Sequence, residues 1–264
     1  KKMAYPKITV NTGLVRSAFA SDTIPIPSPD LTTITSTSTG VASGNADTNT
    51  LNHLINSTLT GNDQFTSTVV PLPVLIGDRA IRTTGLGNPD SSLVTAIAAT
   101  DLTLAADTFP DGNEAYTISR PNHLIDTTET FVTKGVSVGD VVYNNVTGVV
   151  TRVSVVNNEV DLTLEDDLFS SDTTFNDTYT IFLGGQLPGP EGKSSEGCLL
   201  YVASTTTVTN IASTYVASIR VKTVAGNNVT FLNFPVGQYL PVQITQLYVT
   251  GTTNESEAAC LAIW

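Results

Sequence analysis

The sequence predicts an all-β protein with an extended N-terminal arm, two tandem copies of a small antiparallel β-module, and a C-terminal β-sandwich module. Three observations carry this. Only 14% of the 264 residues are charged, against ~25% in an ordinary soluble domain. Thr, Ser and Asn take their place, and these suit strands and turns better than a solvated helix, which needs Glu and Lys. Apolar and polar residues alternate with period two over long stretches, the mark of half-buried strands. A set of short motifs also recurs in the same order further along the chain, the signature of duplicated modules.

The division that follows is an arm at 1–50, a first module at 51–120, a second at 121–183, a linker at 184–197 and a C-terminal module at 198–264. In the arm, Ser21–Asp30 reads SDTIPIPSPD, where alternating prolines forbid a helix and favour an extended path. The next twenty residues, LTTITSTSTGVASGNADTNT, hold almost nothing to bury. Alone, such a segment would not order, so it is expected to be held by another subunit. The candidate contact residues are Ile24, Pro25, Ile26, Pro27 and Pro29. Basic residues at Lys1, Lys2 and Lys7 are followed by no apolar run, which argues against a signal peptide.

The repeat is read from five landmarks. Asn52–Ile55 (NHLI) returns at Asn122–Ile125, Gly77-Asp78 at Gly139-Asp140, and Asp101–Leu104 (DLTL) at Asp161–Leu164. Asp107-X-Phe109 returns as Asp167-X-Phe169, and Tyr116–Ile118 as Tyr179–Ile181. The uneven displacement fits loops of different length, the first copy holding the extra Pro71-Leu72-Pro73 region. In the second copy, Val138–Ile181 alternates clearly enough to predict a meander or compact barrel. Its turns are expected at Asn144-Asn145 and Asn157-Asn158, because Asn tolerates the positive φ of tight hairpins.

The linker alternates Gly and Pro and is expected to be a non-helical hinge. Beyond it, strand-like runs (CLLYVA, TYVASIRVKTV, NNVTFLNF, YLPVQITQLYVTGT, AACLAIW) predict the sandwich, with a hairpin at Ala225–Asn228. Trp264, the sole Trp, is expected to anchor the core. Cys198 and Cys260 would be able to pair if their strands are neighbours, but buried thiols are the expectation.

The net charge of −12 and pI of about 4.3 disfavour nucleic acid and anionic membranes as partners. No segment approaches the ~18 apolar residues of a membrane span. His53 and His123 occupy one position in the two copies, which points to scaffold, and no Gly-X-Ser-X-Gly elbow accompanies either. The acidic run Glu165, Asp166, Asp167, Asp172, Asp177 has no recognised ion-loop spacing and reads as a solvated turn. Five Asn-X-Ser/Thr sequons, at Asn56, Asn145, Asn176, Asn228 and Asn254, are what chance supplies in so Asn- and Thr-rich a chain. No catalytic residue, metal or cofactor is predicted, and the chain reads as a non-enzyme.

The motifs do resemble a known class. Leu200-Tyr201-Val202, Gly226–Phe231, Pro235–Val242, Thr250–Thr253 and the terminal Leu261–Trp264 resemble the end domain of structural proteins from tailed bacteriophages. Ser21–Pro27 and the NHLI…GD…LTL…YTI modules are similar to virion proteins of marine and cyanobacterial phages. The resemblance implies a capsid decoration (cement) or head-spike protein on the outer surface of the particle. Small modules with open sheet edges favour oligomers, so a homotrimer is expected. Its arm would grip the major capsid protein or neighbouring virion subunits. A second reading is a tail-fibre or baseplate-spike component that binds host-surface glycan, with Tyr201, Tyr239, Tyr248 and Trp264 as stacking candidates.

Overall fold

The computed structural model describes residues 15–27, 32–47, 50–67, 72–84, 91–110, 112–171, 173–187, 189, 197–203, 216–253 and 259–264. The protein is all-β, with three curled antiparallel sheets of six strands each. Among the described residues the single helical element is a 3-10 turn at Gly61–Asp63. Contacts divide the chain into two compact units, one made of the chain up to Thr32 with Phe182–Trp264, the other of Thr33–Ile181.

Three strands come from the N-terminal segment: β1 (Val15–Ala18), β2 (Thr33–Thr37) and β3 (Ala42–Asn45). The first repeat supplies β4 (His53–Ile55), β5 (Arg79–Arg82), β6 (Ser91–Ile97), β7 (Asp101–Leu104) and β8 (Ala115–Ser119). The second supplies β9 (His123–Ile125), β10 (Val141–Asn144), β11 (Val150–Val156), β12 (Asp161–Leu164) and β13 (Thr178–Phe182). The last module contributes β14 (Cys198–Ala203), β15 (Val216–Thr223), β16 (Asn228–Pro235), β17 (Gln238–Leu247) and β18 (Ala259–Ile263).

The two repeat sheets have one topology. Their strand orders are β3-β8-β5-β6-β7-β4 and β2-β13-β10-β11-β12-β9. Matching details recur below the level of strands. Each long strand is bulged at the same place, between Val94 and Ala96 and between Val153 and Val155. The extra residue is Thr95 or Ser154, whose hydroxyl donates to the carbonyl of Thr103 or Thr163 at 3.1 Å. A bulge of this kind bends the strand and raises its twist, which lets a short sheet curl over its own apolar face. The Gly-Asp landmarks are tight turns with positive φ at Gly77 and Gly139. There the Asp78 and Asp140 carboxylates each accept a backbone N–H, from Leu75 and Ser137, at 2.8 Å.

The Asn-rich hairpins form where expected, by different chemistry. Positive φ is found at Gly148, not at Asn144, Asn145, Asn157 or Asn158. Asn144 instead turns the chain with its side chain, its Oδ1 accepting from the N–H groups of Val146 and Thr147. Asn158 Oδ1 accepts from Val160 N–H in the same way.

In the last module, hydrogen bonds join all six strands into one curled sheet, in the order β1-β18-β14-β17-β15-β16. Alternate residues of β14 (Cys198, Leu200, Val202) and β15 (Ala217, Ile219, Val221) point into the core, with Ile244 and Trp264. The expected hairpin at Ala225–Asn228 joins β15 to β16, with positive φ at Gly226.

The N-terminal segment is the main departure from expectation. Its described part is extended, but it is spent within the chain. β1, β2 and β3 each form the edge strand of a different sheet, pairing with β18, β13 and β8. The segment therefore laces the last module first, then the second repeat, then the first.

Candidate functional site

The contact residues predicted in the arm lie on the C-terminal module. Ile26 is 2% exposed and belongs to its core, Pro27 is buried, and Ile24 and Pro25 are half-buried. Burying an Ile side chain is worth about 1.5–3 kcal/mol, so Ile26 anchors the segment to its own chain. Backbone bonds fix the path: Ser21 N–H to the Leu247 carbonyl at 2.8 Å, and Ile26 N–H to the Thr245 carbonyl at 2.7 Å. A clamp closes the turn at Asp22, whose carboxylate accepts from Thr250 N–H (3.1 Å) and Thr250 Oγ1–H (2.6 Å). Those bonds hold its pKa below the usual carboxylate range. Ile26 and Pro27 are thus packed against their own chain, while Ile24 and Pro25 keep part of their surface; Pro29 lies outside the described residues.

The linker is tied to the same segment. Gln186 is buried, and its amide both accepts from the Phe19 N–H (3.1 Å) and donates to the Phe19 carbonyl. Leu187 is buried, and a Cβ on Gly189 would lie 3.0 Å from Pro27 and 3.3 Å from Trp264. The described part of the predicted hinge is therefore packed.

The histidines are scaffold partners in both repeats. His53 Nδ1 lies 2.8 Å from Asp101 Oδ1, and His123 Nδ1 lies 2.6 Å from Asp161 Oδ1. Each pair joins the NHLI strand to the DLTL strand beside it. The second pair continues into a charge cluster between the repeats. Arg120 meets Asp78 through Nε (2.9 Å) and Nη2 (3.1 Å), and its Nη1 lies 3.9 Å from Asp161. This fork ties the Gly-Asp turn of the first repeat to the His–Asp pair of the second.

The acidic run is dispersed among separate partners. Asp166 exchanges bonds with Thr151, Asp167 accepts from Ser170, and buried Asp177 accepts from Asn144 at 2.8 Å. Asp172 lies outside the described residues. Among the described residues no three His, Cys, Asp or Glu side chains converge as metal ligands would.

Of the four aromatics proposed to read glycan, Trp264 is 7% exposed and lies in the core. Tyr248 is covered by Arg220, whose guanidinium carbon is 5.0 Å from the ring centre. Tyr201 and Tyr239 face each other across β14 and β17 with ring centres 5.0 Å apart, and Tyr239 is largely exposed. The cysteines sit on neighbouring strands but out of register, since Cys260 is opposite Val202, four residues beyond Cys198. Four residues of strand span roughly 13 Å, too far for a disulfide, whose Cα atoms approach within ~7 Å. Both thiols are buried, and burial pushes Cys198 up to about 12.

One concavity was not legible in the sequence. An open cleft of about 670 Å³ lies between β3 and the 56–65 loop of the first repeat. At its floor are Asn56 and Tyr116, 4% and 2% exposed, with Asn56 Nδ2 donating to the Tyr116 hydroxyl at 3.0 Å. Burial and the nearby Asp47 charge raise the pKa of this phenol, so it stays protonated. No protein-family model, curated protein or solved structure matches the chain.

Proposed function

We propose that the chain is a structural protein of a tailed-phage particle, a capsid decoration or head-spike protein of the outer surface. The observation that carries this reading is the lacing of three sheets by one segment. A module joined to its neighbours by single linkers can be peeled away one at a time. Here each sheet also holds an edge strand of one continuous N-terminal segment, and β1 pairs with β18 near the other end of the chain. The chain therefore crosses each junction between modules twice, once in the N-terminal segment and once in the linker, so separating neighbours strains two tethers and not one. That is a design for mechanical durability, and it accords with the motif resemblance and with the acidic, Thr-rich surface.

Partner contact then falls to surfaces that the fold leaves open. The β16 edge is one, with Leu232 73% exposed on it. An unpaired edge invites pairing with another chain, which supports a homo-oligomer, a trimer in this reading. Gold labelling with an antibody to this chain, on particles of the phage that encodes it, is expected to decorate heads. Absence from the particles would overturn the proposal. Labelling confined to the tail tip would favour the fibre or baseplate reading, which the exposed Tyr239 ring beside half-buried Tyr201 specifically supports.

A further inference from the structure

We infer that the first repeat carries a binding site for a neutral, hydroxyl-rich ligand, a single sugar residue in size, built around the phenol of Tyr116. The duplicated modules differ in how they use one buried tyrosine. In the second repeat, Tyr179 donates its hydroxyl proton to Asp126 Oδ2 at 2.8 Å, and the Ser36 hydroxyl bonds the same phenol. Donor and acceptor capacity are both used there.

The first repeat alters both partners. Asn56 stands in place of Asp126, and Gly44 of β3 stands in place of Ser36 of β2. The Asn56 amide has its orientation set by Thr58, whose N–H (3.2 Å) and Oγ1–H (2.6 Å) both donate to Asn56 Oδ1. The amide nitrogen must therefore face Tyr116, and the phenol oxygen accepts. The phenol's own proton is left without an acceptor, on a side chain 2% exposed at the floor of the cleft. A buried donor without a partner costs about 1–3 kcal/mol, and a ligand oxygen placed over it recovers that. Gly44 leaves the approach clear, since a Cβ there would lie 2.8 Å from the Tyr116 oxygen and 2.9 Å from Asn56 Nδ2.

The rest of the lining selects the ligand class. Asp47 and Asp63 are carboxylates, Asn45, Gln64 and Asn113 are amides, and among the described residues no Lys or Arg lines the cleft. An anion is disfavoured by the carboxylates. An ammonium group would satisfy them but has no lone pair for the Tyr116 proton. A hydroxyl accepts from the phenol and donates to a carboxylate or amide oxygen, so a vicinal polyol satisfies floor and rim together. The cleft of about 670 Å³ is roomier than one sugar residue needs, so the polar floor and not the volume fixes where the ligand sits.

The test is saturation-transfer NMR on the full chain with glucose, galactose, mannose and N-acetylglucosamine, each titrated to tens of millimolar, and with cadaverine as the cationic control. At least one sugar should bind. Tyr116→Phe and Asn56→Asp should each weaken that binding at least tenfold while melting within a few degrees of the parent. Asn56→Asp is the sharper variant, because it recreates the second repeat's pairing and consumes the phenol proton without removing it. Tyr179→Phe should leave sugar binding unchanged. Binding by none of the four sugars, by cadaverine alone, or equally by the parent and Asn56→Asp would overturn the assignment. None of these results bears on whether the chain is a particle component.

Discussion

At the scale of single residues, the two repeats act as an internal control on each other. Tyr179 and Tyr116 occupy one position, each flanked by two phenylalanines with ring centres 6.0–6.4 Å away. They differ in what their hydroxyls do. Tyr179→Phe removes a donor from Asp126, which is fully buried. It should cost about 1–3 kcal/mol, the penalty for a buried polar group losing its partner. Tyr116→Phe leaves the Asn56 amide without its acceptor but also removes a phenol proton that had none, so the two effects offset and the net cost should be about 1 kcal/mol or less. Urea unfolding of the two variants checks the order, and equal losses would contradict the asymmetry. Gly44→Ala should destabilise by about 1–3 kcal/mol, because its Cβ would press on the rigid phenol. Little of this was legible in advance. NHLI and YTI mark the positions of Asn56 and Tyr116, but that Asn replaces Asp opposite a phenol only matters once the two side chains meet across the sheet.

At the scale of elements, legibility followed the range of the contacts. β10, β11 and β12 are joined by short hairpins and bury alternate residues, so their pattern is written locally. β2 and β3, reading TITST and ASGN, carry almost no apolar alternation. They are strands because a sheet edge supplies their hydrogen bonds, and that edge belongs to residues far along the chain. The same argument explains the extended path at Ser21–Ile26, where prolines set the conformation but only the surface of β17 sets the destination. The Asp22–Thr250 clamp makes this attachment sensitive to acid. The Asp22 pKa is depressed in the folded chain, so its contribution is complete above the ordinary carboxylate value of 3.8. It fades as pH falls through the lower folded value. The Thr250 amide proton should titrate by NMR with a midpoint below 3.8, and that titration should vanish in Asp22→Asn. A midpoint at or above 3.8 would show that the clamp does not form.

At the scale of the whole molecule, the all-β class and the duplication were readable because composition and motif order are properties of the chain. The lacing was not, because it depends on pairing between the two ends. It also means that the last module completes its sheet only with a strand from the beginning of the chain. Cys198, on the central strand β14, reports on that closure. Its burial and its raised pKa of about 12 make it a poor nucleophile in the folded state. Ellman's reagent at pH 8 should therefore label Cys198 only as fast as the chain unfolds, whereas immediate labelling would show an open sheet.

The lacing itself is tested most directly by hydrogen exchange of the intact chain, read by mass spectrometry over peptides covering 15–18, 33–37 and 42–45. If the segment supplies an edge strand to every sheet, all three stretches exchange slowly, on the timescale of the strands they pair with in β18, β13 and β8. Exchange of any of them within seconds, while its partner strand stays protected, would show that the segment does not lace that sheet.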